Sequence, residues 1–395
     1  MKYIVIVGDG MADYPLEELG DKTPLQAADT PNMDEIAAKG ASGLFKTIPD
    51  NMGAGSDIAN LSIMGYHPRK YYTGRGPLEA ASMGVDVGEN DLVFRCNIIT
   101  EENGRIKDYS AGHISSSEAE ELLRAAAEAF SDVGEFYPGI SYRHVFILRD
   151  SSNQLVSTPP HDALDGEITK HLLKPENSPL AAKLNEMMLR SREVLSNHPV
   201  NLRRIKEGKN PGNMLWLWGQ GTRPKMEPLQ EKYGIRGAVV SAVDVIKGLG
   251  RYTGMEILEV EGATGYYDTN YEGKARAALD ALRDKDYVYV HVEAIDEASH
   301  AGDVEMKIKA LEDFDRRLVG EILDGLPGLD DGVAIGLLPD HATPISVRTH
   351  VKDAVPFVIM GGKKDDTQRF DEASARKGLY GLLKGEEFMR SLLAP

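Results

Sequence analysis

The chain has 395 residues, of which 42% are hydrophobic and 27% are charged, proportions that are ordinary for a soluble globular protein. Acidic residues outnumber basic residues by 62 to 45 and give a net charge of -17, which argues against nucleic acid as a partner. The single cysteine, Cys96, excludes an internal disulfide, and because we find neither a signal peptide nor an apolar run of about 18 residues, we expect a cytoplasmic protein with no membrane span.

The first segment, residues 1 to about 78, alternates strands and helices. A strand is predicted at residues 3–7, a helix begins near Thr30-Pro31 and ends at Gly40, and a short strand follows at residues 43–47. A glycine-rich turn then leads to Ser56, the first residue of a predicted helix with the sequence SDIANLSIMGY.

The remaining chain divides at about residue 238. Residues 79–237 contain their own elements: strands at 92–99, 144–149 and 214–217, and helices at 117–130 and 179–196. Residues 238–395 return to α/β alternation, with helices at 243–250 and 298–323 and strands at 287–292, 333–338 and 356–360. The pattern predicts an α/β core domain, residues 1–78 and 238–395, interrupted by an inserted domain, residues 79–237. A cleft between such domains is a favoured site for small ligands.

Three apolar strands end in acidic or histidine residues. KYIVIV is followed by Asp9, YVYVHV by Asp296 a few residues on, and GVAIGLLP by Asp340-His341. Parallel sheets carry their chemistry at the carboxyl ends of the strands, so we expect these residues to meet in one crevice.

The same residues have the spacing of metal ligands. Asp296 and His300 are four residues apart and would share a helix face, although a helix cap beside an exposed histidine is an equal alternative. Asp340 and His341 can serve two ions, or can be a loop cap beside a solvated histidine. His350 by itself is typical of a surface histidine. Mixed oxygen and imidazole donors favour manganese, zinc or a related divalent ion.

Ser56 is the candidate nucleophile. The preceding Gly53-Ala54-Gly55 allows close approach to a ligand, and the helix that begins at Ser56 favours phosphate at its amino end. A nearby divalent ion can activate a serine. The alternative is a plain helix cap, with Asp57 adding favourable charge in the first turn.

Several long segments resemble one family. The segments are GDGMADYPLEELGDKTPLQAADTPNMDEIAAKG, GAGSDIANLSIMGYHPRKYYTGRGPLEA, the pair Asp296 and His300, LPDHATP and THVKDAVPF. Together they resemble the cofactor-independent phosphoglycerate mutases of the archaeal type, members of the alkaline phosphatase superfamily. The resemblance implies an alkaline-phosphatase-like core, with a central mostly parallel sheet flanked by helices, and a smaller inserted α/β or α+β substrate domain.

The resemblance also implies roles for single residues. Asp9, Ser56, Asp340 and His341 match the ligands of one metal, and Asp296, His300 and His350 match those of a second. Ser56 would take the phosphoryl group of 3-phosphoglycerate, glycerate would reorient between the domains, and 2-phosphoglycerate would leave, as a step of glycolysis and gluconeogenesis. Manganese is the expected metal, with zinc, cobalt or magnesium as alternatives, and 2,3-bisphosphoglycerate is not needed.

Basic and polar residues outside the metal set are candidates for substrate binding. Their side chains suit a carboxylate or phosphate, and they are Arg75, His113, Arg143, His161, Asp162 and Arg223, with Lys274 added by loose resemblance to a substrate-binding lysine. Each is open to the alternative of a surface charge. Lys307, Lys309, Asp313 and Arg316, on the predicted long helix, are expected on a solvated face.

Three other functions are alternatives. A homoserine kinase-like phosphotransferase would keep the serine and the metals, but the chain lacks a GxxxxGK[ST] phosphate loop. A metal-dependent phosphatase or phosphonate hydrolase would need less of an inserted domain. A non-catalytic scaffold is disfavoured by the seven metal-site positions. The sequence leaves a homo-oligomer open.

Overall fold

The computed structural model describes residues 1–151, 155–329 and 332–394. The chain forms two compact units: Met1–Tyr72 with Lys225–Pro395, called here the core unit, and Thr73–Pro224, called the inserted unit. These bounds differ from the expected 78/79 and 237/238. The first boundary lies earlier because the helix at Arg75–Ser82 packs against strands of the inserted unit. The second also lies earlier, because the residues from Lys225 onward belong to the core unit.

The strands of the described residues have the following bounds. In chain order they are β1 (Lys2–Gly8), β2 (Gly40–Lys46), β3 (Leu92–Glu102), β4 (Arg105–Asp108), β5 (Glu135–Tyr137), β6 (Arg143–Leu148), β7 (Met214–Gly221), β8 (Gly237–Val240), β9 (Glu256–Leu258), β10 (Tyr287–Val292), β11 (Val333–Leu338), β12 (Val355–Met360) and β13 (Leu382–Lys384).

The α-helices fall between these strands. In chain order they are α1 (Pro24–Ala27), α2 (Pro31–Lys39), α3 (Ser56–Ile63), α4 (Pro68–Tyr71), α5 (Arg75–Ser82), α6 (Ser116–Ala129), α7 (Ile168–His171), α8 (Pro179–Leu195), α9 (Pro199–Lys206), α10 (Leu229–Tyr233), α11 (Asp244–Tyr252), α12 (Tyr271–Asp284), α13 (Ala294–Ala301), α14 (Val304–Phe314), α15 (Gly320–Gly325), α16 (Glu372–Ala375) and α17 (Glu387–Leu393). Within the described ranges, no helix is long and apolar enough to cross a membrane.

The core unit is built on one large sheet with the strand order β13-β2-β12-β11-β1-β10-β8-β9. β1 lies between β10 and β11 and is parallel to both, and β8 and β9 extend the parallel part. β12 is antiparallel to both of its neighbours. The central strands are buried on both faces, which explains why they read as continuous apolar runs rather than as alternating patterns. The predicted mostly parallel sheet flanked by helices is confirmed.

The register of the central strands positions the functional residues. Gly8 pairs with Val292 and Val7 pairs with Leu338, so β1, β10 and β11 end at the same edge of the sheet. Asp9 directly follows β1, and the chain after β10 and β11 continues from that edge. The expected convergence of strand ends therefore follows from this register.

The inserted unit has a different architecture. β3 is its central strand and pairs with β4, β6 and β7, while β5 adds to β6, and every pairing is antiparallel. α6 and α8 pack over one face with an apolar core that includes Leu122, Leu184 and Trp216. The unit is therefore of the α+β type.

The predicted single helix at 298–323 is wrong. α13 ends at Ala301 because Gly302 has a φ of 72°, in the left-handed region that ends helices. The Asp303 side chain accepts a hydrogen bond from the Met306 amide at 2.9 Å and starts α14 as a cap. The chain then passes through a π-helical turn, Asp315–Val319, into α15. The Gly302-Asp303 pair was the sequence signal for this break.

Candidate metal centre

The first cluster at the sheet edge contains two carboxylates and one histidine. Asp9, Asp340 and His341 are each at most 1% exposed. His341 Nε2 lies 3.5 Å from Asp9 Oδ1 and 3.5 Å from Asp340 Oδ2. Ser56, at the start of α3, places its Oγ 3.1 Å from the same nitrogen. The structure thus brings together all four residues that were expected to share one metal.

Asp9 shows that this cluster fits a cation. Its Oδ1 is buried and makes no hydrogen bond to the described residues. Burial, and then repulsion from Asp340 and Asp296, raises the pKa of the Asp9 carboxyl well above its usual value. Because neighbouring buried carboxylates are costly without a compensating positive charge, the donor set of two carboxylates, one imidazole and one hydroxyl suits a divalent ion.

The second cluster consists of Asp296, His300 and His350. Asp296 Oδ2 lies 3.0 Å from His300 Nε2 and 3.5 Å from His350 Nε2, and the two nitrogens are 3.0 Å apart. Asp296 and His300 occupy successive turns of α13, as the spacing predicts. Burial alone would lower the pKa of His300, but the Asp296 carboxylate outweighs it and raises that pKa to about 9. Two imidazole nitrogens and a carboxylate oxygen that converge in this way also suit a divalent ion.

Hydrogen bonds to the Nδ1 atoms of His300 and His341 leave the Nε2 atoms facing the clusters. His300 Nδ1 lies 3.0 Å from the carbonyl of Arg348, so this nitrogen carries a proton. Thr343 Oγ1 donates to Asp296 Oδ1 at 2.6 Å and so accepts from His341 Nδ1 at 3.1 Å. Burial lowers the pKa of His341 to about 4, which keeps this imidazole neutral. His341 Nε2 thus presents a lone pair, the state that a metal ligand requires, whereas His300, with a pKa of about 9, would have to lose its Nε2 proton when a cation binds.

His291 is a buried polar residue of the site that was not predicted. It lies in β10 with its Nε2 3.2 Å from Asp9 Oδ2 and its Nδ1 3.5 Å from Ser241 Oγ. Burial lowers its pKa to about 4. Asp9, His291 and Asp340 form a third group with the spacing of metal ligands. The signal was a single histidine in an otherwise apolar buried strand.

Lys307 was expected on a solvated face, and this expectation is wrong. Its side chain is wholly buried, and Nζ donates to Asp13 Oδ2 at 2.8 Å, to the Gly10 carbonyl at 3.0 Å and to the Thr343 carbonyl at 3.1 Å. In α14 it shares the inner face with Leu311 and Phe314, four and seven residues later. The ammonium therefore ties together the segments that follow β1 and β11.

Lys274, in α12, is the one predicted substrate residue in the core unit. It is buried, and its Nζ lies 3.3 Å from the carbonyl of His291. Burial lowers its pKa to about 8, against the attraction of Glu293.

Four predicted substrate residues of the inserted unit belong to one arrangement, called here the Arg–aromatic cluster. Ring and cation–ring contacts of 5.3 to 6.3 Å connect its members: Arg75 and Arg95 with Trp218, Trp218 with His161, His161 with Tyr109, Tyr109 with Tyr142, and Tyr142 with His113 and Arg143. Asp162 lies beside it, 3.9 Å from His161 Nε2. Arg223 instead donates to the Val87 carbonyl at 3.2 Å.

Arg95 and Glu79 anchor this cluster and were not predicted. Glu79 Oε1 accepts from Arg95 Nη1 and, at 2.7 Å, from Arg75 Nε. Burial would raise the pKa of Glu79, but the two guanidinium groups lower it, so the carboxylate stays charged. Two guanidinium groups thus share one buried carboxylate beside the Trp218 ring.

Comparisons with known proteins agree on one family. The model of the 2,3-bisphosphoglycerate-independent phosphoglycerate mutases matches residues 37–201. A Methanosarcina barkeri protein of that name is 53% identical over 398 residues, covering 100% of this chain and 99% of that protein. A solved Pyrococcus horikoshii protein is similar with a TM-score of 0.84 at 34% identity, covering 100% of this chain and 96% of that one. The solved cofactor-independent phosphoglycerate mutase of Thermoplasma acidophilum is similar with a TM-score of 0.67 at 30% identity, and the match covers 100% of this chain and 99% of that one.

Replacing Lys307 by methionine tests the buried ion pair. The Lys307→Met protein should lose about 3–5 kcal/mol in free energy of unfolding, because the Asp13 carboxylate stays buried without its partner. Urea denaturation followed by circular dichroism at pH 7 measures this. Lys309→Met is the control: that side chain is 64% exposed, so a change within about 0.5 kcal/mol is expected. Equal effects of both substitutions would contradict the assignment.

Metal binding should stabilise the protein. Mn²⁺ at about 100 times the Kd of each site should raise the free energy of unfolding by about 2.7 kcal/mol per occupied site, and excess chelator should remove the gain. Asp296→Asn should abolish about half of the gain, because it removes the carboxylate of the second cluster and leaves the first cluster intact. Asp280→Asn makes the same change at a carboxylate that is 75% exposed and should keep the gain. An undiminished gain in Asp296→Asn would refute the second site.

Proposed function

The chain belongs to the 2,3-bisphosphoglycerate-independent phosphoglycerate mutases, and we propose on that premise that it interconverts 3-phosphoglycerate and 2-phosphoglycerate through a phosphoserine at Ser56. The observation that carries the proposal is the position of Ser56 Oγ, 3.1 Å from His341 Nε2 and beside the Asp9–Asp340 carboxylates. The reaction would serve glycolysis and gluconeogenesis without 2,3-bisphosphoglycerate.

Two sets of residues would hold the divalent ions. Asp9, Ser56, Asp340 and His341 would hold one, and Asp296, His300 and His350 the other. Such ions would lower the pKa of the Ser56 hydroxyl and neutralise charge that develops on the transferring phosphoryl group. We propose manganese, with zinc, cobalt or magnesium as alternatives, since the donors mix carboxylate oxygens with imidazole nitrogens.

Ser56 can act as the nucleophile because of its position at the start of α3. The amino end of a helix suits the oxygens of a phosphoryl group because its first backbone amides point that way, and Ser56 is the first residue of α3. In the first half-reaction, a bond forms between Ser56 Oγ and phosphorus, the bond from phosphorus to the 3-oxygen of the substrate breaks, and the 3-oxygen gains a proton to balance the one that the Ser56 hydroxyl loses. In the second, the 2-hydroxyl oxygen of glycerate loses its proton and bonds to phosphorus, and Ser56 Oγ leaves and regains a proton. The net change is an isomerisation.

Substrate binding is proposed for the cationic residues. Arg75, His113, Arg143 and His161 would bind the carboxylate or phosphate of phosphoglycerate, since planar guanidinium groups pair with both anions. The Arg–aromatic cluster supports this part of the proposal because it gathers these four in one place. Asp162, Arg223 and Lys274 remain proposed binding residues. In this scheme the inserted unit is the substrate domain and the core unit the metal-binding domain.

Replacing Ser56 by alanine tests the nucleophile. The purified protein with Mn²⁺ and without 2,3-bisphosphoglycerate should convert 3-phosphoglycerate to 2-phosphoglycerate, and Ser56→Ala should lower kcat at least about 10⁴-fold. An acid-quenched reaction should yield a phosphopeptide that contains Ser56. The variant should keep most of its Mn²⁺-dependent stabilisation, because Asp9, Asp340 and His341 remain.

Three outcomes would overturn the proposal. Turnover by Ser56→Ala would exclude the phosphoserine. Release of inorganic phosphate without 2-phosphoglycerate would indicate a phosphatase. Inactivity of the Mn²⁺-loaded protein on 3-phosphoglycerate, with transfer from ATP to homoserine, would indicate a kinase-like enzyme.

Replacing Glu79 by glutamine tests the Arg–aromatic cluster. The change removes the charge that holds Arg75 and Arg95, so the KM for 3-phosphoglycerate should rise about tenfold or more with a smaller change in kcat. Initial rates over a range of substrate concentrations separate the two constants. Glu135→Gln is the control, since Glu135 pairs with Arg149 at a site that is 48% exposed. An unchanged KM in Glu79→Gln would argue against substrate binding by this cluster.

A further inference from the structure

Asn60 and Tyr289 connect the proposed nucleophile to a proposed metal ligand. We propose that they act as positioning residues: Tyr289 orients Asn60, and Asn60 holds the Asp340 carboxylate against the first turn of α3, where Ser56 lies. The inference rests on the proposed function, because it gives Ser56 and Asp340 their roles.

Asn60 bonds to both elements at once. It lies one turn after Ser56, and its Nδ2 donates to the Ser56 carbonyl at 2.8 Å and to Asp340 Oδ2 at 2.9 Å. Its Oδ1 accepts a hydrogen bond from the Tyr289 hydroxyl. Asn60, Tyr289 and Asp340 are all 0% exposed. One amide therefore joins α3, β10 and the end of β11.

The orientation of the Asn60 amide is unique. Two acceptors, the Ser56 carbonyl and Asp340 Oδ2, face its nitrogen, and a reversed amide would place its oxygen against both. The Tyr289 hydroxyl supplies the donor that the amide oxygen then needs. Removal of this hydroxyl would leave a buried acceptor unpaired and would release the amide from its one orientation.

The Asp340 carboxylate depends on these donors for its position. Oδ1 accepts from the backbone amides of Gly10 at 3.2 Å and His341 at 2.8 Å. Oδ2 accepts from Asn60 and faces His341 Nε2. Asn60 is therefore the contact that sets this oxygen relative to Ser56. Partners that orient metal ligands in this way change metal affinity or activity by about 10–100-fold when they are lost.

The same strand offers a matched control. Tyr287 lies two residues before Tyr289 in β10 and is also 0% exposed. Its hydroxyl makes no hydrogen bond to the described residues. Tyr289→Phe and Tyr287→Phe remove the same atom from the same buried strand, and only the first removal affects Asn60.

The experiment compares these two variants with Asn60→Asp. Mn²⁺ affinity is measured by titration calorimetry. The constants kcat and KM are measured with 3-phosphoglycerate as the substrate, and circular dichroism checks that each variant is folded. Tyr289→Phe should weaken Mn²⁺ binding and lower kcat about tenfold each, with KM unchanged, while Tyr287→Phe should match the wild type. Asn60→Asp sets a carboxylate against Asp340 and should lose about 100-fold or more in kcat.

The failures of the two proposals are distinguishable. Wild-type Mn²⁺ affinity and kcat in Tyr289→Phe, or equal losses in both phenylalanine variants, would overturn the positioning role. If the wild type does not convert 3-phosphoglycerate, the proposed function fails, and the Mn²⁺ affinities of the two variants still decide whether Tyr289 positions Asp340.

Discussion

The structure of the core unit depends on the burial of negative charge at one edge of its sheet. Asp9, Asp296 and Asp340 are nearly inaccessible to water, and Asp13 lies close by. Dehydration of carboxylates at this density is unfavourable unless cations or donors compensate. Lys307 neutralises Asp13, and backbone amides and Asn60 bond to Asp340. Under the proposed function, divalent ions would compensate the remaining negative charge, and folding of this edge would then be coupled to cation binding.

Much of the candidate metal centre could be predicted because its signals are local. A buried parallel strand reads as an apolar run, and Asp9 or Asp340-His341 directly after such a run marks a strand end. The i, i+4 spacing of Asp296 and His300 is likewise visible in the sequence. Ser56 was a candidate nucleophile from its glycine-rich turn, but the metal-ligand roles of Ser56 and His350 came from resemblance to a family, because the local sequence also fits a helix cap and a surface histidine.

The residues that were misread or missed depend on tertiary contacts. The amphipathic pattern of α14 assigned Lys307 to solvent, because a lysine on an apolar face is recognisable only when its partner Asp13, nearly 300 residues away, is known. His291 was missed because it lies within an apolar strand, where a single histidine does not by itself indicate a functional site. In the inserted unit, Arg95 and Trp218 meet because β3 and β7 pair in a particular register. Such cross-strand neighbours cannot be read from either strand alone.

The central position of β1 has a consequence for synthesis of the chain. Tyr3 pairs with Tyr287 and with Ala334, so the first strand has no permanent neighbours until residues about 280 and 330 positions later are made. At 5–20 residues per second, ribosomes need about 15–60 s to reach them. The inserted unit is continuous in sequence and all its partners are complete by Pro224. We therefore expect the inserted unit to fold first during translation. During that time the apolar strand β1 lacks its neighbours in the sheet and is prone to aggregation.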